Sequence, residues 1–274
     1  MAEAIKGGAI ALGDFGIKVK DIMIGAVRGA GDLAGNSAQV ARDLLVDRLK
    51  EGATASGAVR EAVYGAAAAA AEVGRDVPVV VEGAVLGVLQ AVSEEADLTS
   101  ELVSEAARAA VNATGKVGNP PEETIFRLLK FLIAAERDLD LEPETIAFGL
   151  GWGATLGGLE QQGEAESIAG AAVRGALQGA GAGDLDAMRV LRSTVRGIVR
   201  GVVAAGGEVA AAARGAVSEA AKSARELHLD PREAAAAAAA GASLAAREAG
   251  RTAEEGVKKA VEETHAAGVK PESA

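Results

Sequence analysis

The sequence of 274 residues contains no cysteine, only two histidines and very few aromatic side chains, at 2% of the chain. The lack of cysteine excludes disulfides, thiolate metal ligands and cysteine nucleophiles. Histidine, the commonest group for acid–base catalysis and metal binding, is also scarce. These absences predict no catalytic residue, no cofactor and no metal site. We therefore expect a protein that is not an enzyme, and an enzyme with an unfamiliar site is the less favoured alternative.

Positive charge is in deficit, because 28 Lys and Arg residues stand against 39 Asp and Glu residues, for a formal net charge of −11. Nucleic-acid binding requires a basic surface, so we expect no nucleic-acid partner. The start of the chain, MAEAIKGGAIALGDFG, has too short an apolar run for a secretory signal peptide. Together with the absence of cysteine, this favours a cytoplasmic location.

Runs of β-branched residues long enough for a strand are scarce, and Val77–Val81 is the one tempting candidate. Strong helix formers dominate instead, and the signals that start and stop helices recur every 43 to 45 residues. We predict an all-α fold, an array of about six two-helix hairpins with a period of about 44 residues. The stop signals are Gly74, Gly118, Gly163, Gly207 and Gly250, and the start signals lie at 98–100, 141–143, 185–187 and 229–231.

The repeat divides the chain into a degenerate N-terminal unit, five hairpins and a disordered tail. In the first unit, Asn36 and Ser37 are expected to cap the second helix and Gly52 to end it. The period falls in the length class of HEAT and armadillo arrays, but their residue patterns are absent. A solenoid and a compact bundle of stacked hairpins both remain open. The predicted boundaries are 1–53, then 54–97, 98–140, 141–184, 185–228 and 229–268, then the tail at 269–274.

Glycines recur four residues apart, which places them on one face of a helix and lets a neighbouring backbone approach. If these faces point inward, they line the contacts between helices. If they point outward, they mediate self-assembly or membrane insertion. The sequence favours the inward arrangement. The glycines predicted to pack are Gly149, Gly153, Gly157, Gly175, Gly179, Gly183, Gly197 and Gly201, and further pairs stand at 25/29, 31/35 and 83/87.

Two apolar segments have alternative interpretations. Residues 145–159, TIAFGLGWGATLGGL, carry no charge but are shorter than a membrane span. We interpret them as a close-packed interior helix, with Trp152 on the flank away from the glycines or contacting a partner. Residues 123–138 have a wide apolar face, so they are expected to form the most buried helix, near the middle of the array. Lodging of this helix on a membrane surface is the alternative.

Residues 185–216 have apolar side chains at steps of three and four, broken at Gly206 and Gly207, which predicts two helices that share a packing face. Beside them, Arg189, Arg192, Arg196 and Arg200 form a stripe. The stripe either pairs with acidic side chains of neighbouring units or binds an anionic partner.

Motifs that carry chemistry are incomplete. The segment Gly29-Ala-Gly-Asp-Leu-Ala34 matches a dinucleotide-binding pattern but lacks the parallel sheet that such a site needs. Glu262 and His265 have the spacing of a di-metal helix bundle, but no second motif of this kind exists. The sequence therefore favours a structural scaffold that associates with protein partners or with itself. A phasin-like coat on a lipid or granule surface is the alternative function.

Overall fold

The computed structural model describes residues 12–268, and within them the chain forms twelve α-helices, one short 3-10 turn and no strand. The all-α prediction is confirmed. Val77–Val81, the strand candidate, opens a helix, because Asp76 caps it and Pro78 occupies its first turn. The helices are α1 Asp14–Arg28, α2 Leu33–Lys50, α3 Ala55–Glu72, α4 Val77–Glu95, α5 Ser100–Lys116, α6 Pro121–Ala134, α7 Pro143–Glu160, α8 Ala165–Gly183, α9 Ala187–Ala205, α10 Val209–Glu226, α11 Pro231–Ala249 and α12 Arg251–Gly268.

The helices stack in two layers. Each helix makes its most extensive contact with a helix two places away along the chain. The odd-numbered helices therefore form one layer and the even-numbered helices the other, with six hairpins stacked in chain order. This arrangement confirms the predicted array of helical hairpins, and each predicted unit contains two helices. Residues 1–11, the predicted tail at 269–274 and the side chain of His265 lie outside the described residues.

Residues with positive φ end most of the helices, and they reveal a shorter period. Eight such residues occur between positions 12 and 268, at spacings of 22 or 44 positions. A left-handed residue just after a helix redirects the chain and satisfies its last carbonyls. Every helix with its connection therefore advances the chain by about half of the predicted repeat. The eight residues are Gly52, Gly74, Gly118, Gln162, Asp184, Gly206, His228 and Gly250.

Two expectations about individual helices are wrong. The N-cap of α2 is Asp32, whose Oδ1 accepts a hydrogen bond from the Gly35 amide at 2.9 Å, so Asn36 and Ser37 lie inside the first turn. The helix expected over 123–138 ends at Ala134 and gives way to a 3-10 turn at Glu136–Asp138. It is also not the most buried helix, because α4 is buried around most of its circumference.

The core consists mainly of alanine and valine, and it runs the length of the array as one cluster. Small side chains bury little area each, so the stability of such a core depends on how closely the helix backbones approach. Larger buried side chains concentrate in α6, where Ile125, Leu128, Leu129, Leu132 and Ile133 are almost fully enclosed.

Candidate interaction surface

Glycines in these helices lie directly on the backbone of the preceding helix in the same layer. A Cβ atom added to Gly153 in α7 would overlap the main-chain carbonyl of Ser104 in α5, and Gly83 in α4 is placed in the same way on Ala34 in α2. In each pair the glycine follows its partner by 49 positions. This 49-residue register recurs in seven of the ten same-layer helix pairs of the described chain. Both layers therefore stack by one rule.

The structure places all eight of the predicted packing glycines between helices. Each of them has main-chain atoms of another helix among its nearest neighbours, so the glycine faces point inward. Gly151 adds a contact on the opposite side of α7, against the carbonyl of Thr194. Gly149, Gly153 and Gly157 of α7 lie on α5, Gly175, Gly179 and Gly183 of α8 lie on α6, and Gly197 and Gly201 of α9 lie on α7.

The glycines at the end of α1 and the start of α2 behave differently. Nothing in the described chain lies within 4 Å of a Cβ atom added to Gly25, Gly29 or Gly31, and Gly35 meets only its own cap, Asp32. The spacings 25/29 and 31/35 are therefore not packing contacts. The physical reason is that α1 and α2 begin the described array, so that no described helix precedes them in either layer.

Arginine precedes the packing glycine at four places and reaches over the residue that the glycine covers. Gly197 lies on the carbonyl of Phe148, and the guanidinium carbon of Arg196 is 5.1 Å from the centre of the Phe148 ring. One dipeptide thus brings two backbones together and attaches a cation to an aromatic face. The guanidinium carbon of Arg200, before Gly201, lies 4.9 Å from the centre of the Trp152 ring, and that of Arg174, before Gly175, lies 4.4 Å from the centre of the Phe126 ring. At the fourth place the covered residue is acidic, and Arg214, before Gly215, lies 3.8 Å from the carboxylate of Glu166.

The predicted arginine stripe lies on α9, and most of it is engaged. Arg189 pairs with Glu144 of α7 at 2.6 Å, and Arg196 pairs with Glu248 of α11 at 2.7 Å. Arg200 covers Trp152, as described above. Arg192 is exposed and makes no ion pair with any described residue. The stripe is thus a chain of contacts that links three odd-numbered helices, with one free guanidinium in it.

Four ion pairs between neighbouring repeats share a second spacing, of 52 positions. Glu160 of α7 accepts hydrogen bonds from Arg108 and Asn112 of α5. Burial raises the pKa of Glu160, but these hydrogen bonds outweigh it, so the pKa lies below its usual value. Lys116 over the ring of Tyr64, at 4.5 Å, has the same spacing. The other pairs are Lys20 with Glu72, Arg42 with Glu94 and Arg196 with Glu248.

One junction, between the second hairpin (α3, α4) and the third (α5, α6), lacks packed glycines in both layers. Its main polar contact is the hydrogen bond from Arg127 Nε of α6 to Glu82 Oε1 of α4, at 2.8 Å. The side chain of Glu82 is only 10% exposed. Burial raises the pKa of Glu82, and the hydrogen bond from Arg127 offsets this only in part. A partly buried ion pair thus joins the two hairpins where no glycine does.

We next looked for metal-binding clusters and surface depressions. Among the described side chains, no group of three or more Asp, Glu or His is positioned to bind a metal ion. A surface depression of 430 Å³ lies beside the junction, between the end of α4 and residues 137–140. Its charged lining is Arg42, Glu94, Arg137, Asp138 and Asp140, and Arg42 is already paired with Glu94.

One described helix, α4, is long and apolar enough to cross a membrane, with a mean hydropathy of 1.5. The core helix of a soluble protein passes the same test, and 61% of this stretch is buried against other helices. Residues 145–159, the segment singled out in the sequence, lie in α7 and not in that helix.

The sequence contained a signal that the glycine spacing alone did not reveal. After Arg28-Gly29, which has no residue 48 positions before it, Arg-Gly dipeptides stand at 174–175, 196–197, 200–201 and 214–215. The residue 48 positions before each of these four arginines is Phe126, Phe148, Trp152 or Glu166. Three of these four residues are aromatic, in a chain that has only six aromatic residues. A search at that offset would have located the stacked surface.

No known protein family matches this chain, and no curated protein matches it either. Among solved structures, a de novo designed helical repeat protein is similar at 17% identity, covering 86% of this chain and 96% of that one, with a TM-score of 0.29. A score this low lends no weight to the details of the stacking, which rest on the contacts described above.

Proposed function

We propose that this chain is a non-enzymatic scaffold that mediates protein–protein association, including association with itself, in the cytoplasm. The observation that carries the proposal is the contact between α7 and α9, which holds Arg196 and Arg200 of α9 against the Phe148 and Trp152 rings of α7. Trp and Arg are the residues that most often dominate binding energy at protein interfaces. Side chains already ordered in the free protein lose less entropy on binding.

The α9 stripe is the part of this surface that we propose contacts a partner. Arg192 is free and exposed, and Arg189 is exposed although paired, so both can meet carboxylates of a partner protein. The formal net charge of −11 repels nucleic acid over the rest of the surface. A protein partner with an acidic segment fits this arrangement best.

The test is cross-linking in the native host cell, followed by quantitative mass spectrometry. The variant carries Arg189→Glu and Arg192→Glu, and the matched control carries Arg28→Glu and Arg225→Glu, two exposed arginines away from the stripe. We expect a set of proteins that the wild type and the control both capture and that falls by about fivefold or more with the stripe variant. Equal recovery with all three chains contradicts the proposed surface.

A lipid- or granule-surface coat is the second candidate, and the observation that favours it is the hydropathy of α4. Binding of α4 to lipid requires the array to open, because α4 is packed against α2. Flotation with neutral and anionic liposomes, followed by the emission of Trp152, separates the two functions. A protein that floats, with emission shifted to the blue, overturns the scaffold proposal.

A further inference from the structure

The two ends of the array differ in what occupies the 49-residue register. In α3, α7, α9 and α11 the position that meets the preceding helix is glycine, and in α1 the equivalent residue is Asp21, whose side chain is 66% exposed. Gln39 and Asp43 of α2, equivalent to Gly83 and Gly87 of α4, are also exposed. A side chain at these positions would collide with carbonyl oxygens, and a carboxylate would also repel them. The N-terminal edge therefore resists further stacking.

At the C-terminal edge, the two layers end differently. The register positions of α12 are charged, with Glu254, Lys258 and Glu262. In α11, the residues equivalent to Phe148 and Trp152 of α7 are Ala236 and Ala240, and both are exposed. Leu244, one turn further, is 43% exposed. The last described helix of the odd-numbered layer thus exposes three apolar residues, with Ala236 and Ala240 at the positions that receive the next helix in α7.

We propose that this surface pairs with α11 of a second copy, antiparallel, to form a tail-to-tail dimer. The inference rests on the proposed function and names the partner in self-association. The pairing surface, called here the α11 face, consists of Glu233, Ala236, Ala240, Leu244 and Arg247.

The charge pattern of the α11 face specifies both the partner and its direction. Glu233 lies seven positions before Ala240 and Arg247 lies seven positions after it. Two antiparallel copies that cross at Ala240 therefore place Glu233 of each chain opposite Arg247 of the other. A parallel pair would place like charges opposite each other, which is destabilising.

The apolar residues fit the same symmetry. Ala236 and Leu244 lie four positions on either side of Ala240, so the Leu244 side chain of each copy packs on Ala236 of the other. Seven residues are two helical turns, so Glu233, Ala240 and Arg247 share one face of the helix. Glu233 makes no ion pair with any described residue, and Arg247 lies 3.7 Å from Glu254 of α12, so dimer formation exchanges that contact for one with Glu233 of the second copy.

The geometry closes the assembly at two copies. A head-to-tail contact would extend into a filament, but it would bring Asp21, Gln39 and Asp43 of α1 and α2 against the end of the array. The tail-to-tail contact uses the same surface on both copies and leaves the N-terminal edges free. One helix pair buries little area, so we expect a weak dimer in the transient class.

The test is sedimentation equilibrium of the full chain, with circular dichroism to verify the helix content of each variant. We expect a monomer–dimer equilibrium whose dissociation constant rises about tenfold or more in Leu244→Lys. The matched control is Ile22→Lys in α1, because Ile22 has the same 43% exposure at the opposite edge. This control leaves the dissociation constant unchanged.

Charge reversal tests the pairing itself. Glu233→Arg and Arg247→Glu each weaken the dimer about fivefold, and the double variant returns the dissociation constant to within about twofold of the wild type. A chain that stays monomeric up to about 0.5 mM overturns the proposal, and so does a dimer that is insensitive to Leu244→Lys or not rescued by the double reversal. A monomeric result removes self-association from the proposed function but leaves its other part standing, since capture of protein partners through Arg189 and Arg192 is measured separately.

Discussion

Two contacts between helices of one layer differ in how the backbones are held together. One is the interface between α7 and α9, and the other is the junction between the second and third hairpins. At α7/α9, Gly197 and Gly201 remove their side chains, and the backbones make the most extensive contact of any helix pair. At the junction, α6 contains no glycine and meets α4 with bulky side chains and the Arg127–Glu82 ion pair. The α4/α6 contact is the least extensive of the same-layer pairs.

Glycine position, rather than apolar content, determines how closely the backbones of these helices approach. The three same-layer pairs with the least extensive backbone contact are α3/α5, α4/α6 and α10/α12. In the first two, no glycine of the later helix lies on the earlier one, and in the third Gly256 reaches only ordinary contact with Ala210. Each interior glycine costs about 1 kcal/mol of helix propensity. Close contact offsets that cost through dispersion and weak Cα–H···O interactions.

The largest loss of stability is expected when a side chain is added at the interface between α7 and α9. In Gly197→Ala, the new Cβ atom meets the carbonyl of Phe148 and lies 2.8 Å from the amide nitrogen of Trp152. Both are backbone atoms, so the helices must separate, and we expect a loss of about 3 kcal/mol and a melting temperature about 6–12 °C lower. The control is Gly181→Ala in α8, where a Cβ atom meets nothing within 4 Å. Calorimetry should show the control unchanged or stabilised by up to about 1 kcal/mol.

The next largest loss of stability is expected when the Arg127–Glu82 ion pair between the second and third hairpins is broken. In Arg127→Met, Glu82 remains mostly buried without its partner, and we expect a loss of about 2 kcal/mol. This value is below that of a fully enclosed pair, because the Arg127 side chain is 29% exposed. Adding Glu82→Leu should recover most of the loss, since an apolar pair needs no charge compensation. Urea unfolding followed by circular dichroism measures both, and a double variant no more stable than Arg127→Met would show that the ion pair does not hold the junction.

A smaller effect is expected in how the free energy of unfolding depends on pH, through Glu82 at this junction. Because burial raises the pKa of Glu82 in the folded state, its contribution to stability is full below the unfolded pKa, near 4.5, and is lost as the pH rises through the folded pKa. Glu82→Gln does not titrate, so the stability of the wild type relative to this variant should fall as the pH rises above about 4.5. Exposed Glu123 provides the control variant, Glu123→Gln. Unfolding free energies at several pH values decide the sign, and a difference that grows with pH contradicts it.

The smallest effect concerns the cation above the aromatic ring. Arg200→Met removes the charge from Trp152 but keeps much of the aliphatic contact, so we expect a loss of at most about 1 kcal/mol. The emission of Trp152 should change, because the side chain that covers its ring changes. In Arg225→Met, remote from Trp152, the emission should stay as in the wild type. A stability loss as large as that of Gly197→Ala would show that the arginine, and not the glycine, holds α7 and α9 together.

The sequence was sufficient to predict the fold, because helix starts and stops depend on local residues. The all-α fold and the hairpin period followed from stop signals such as Gly74 and Gly118 and from the start signals at 98–100, 141–143, 185–187 and 229–231. The 49-residue register could not follow from the period, because it differs from 44 by a shift along the helix that only three-dimensional packing determines. The burial of α6 was overestimated for a related reason. Its wide apolar face was visible, but Ala- and Val-rich α4 is enclosed more completely because its glycines bring α2 close.

The common register also bears on how a chain of this kind changes length. If residues 143–186, which hold α7 and α8, were removed, Gly197 would lie 49 positions after Ser104, the residue that Gly153 covers in the full array. Loss or tandem duplication of one 44-residue module therefore leaves the new boundary in the same stacking register. An insertion of a single residue within a helix moves the later glycines off their carbonyls. Such arrays can lengthen or shorten by whole modules, whereas small insertions are tolerated only in the connections between helices.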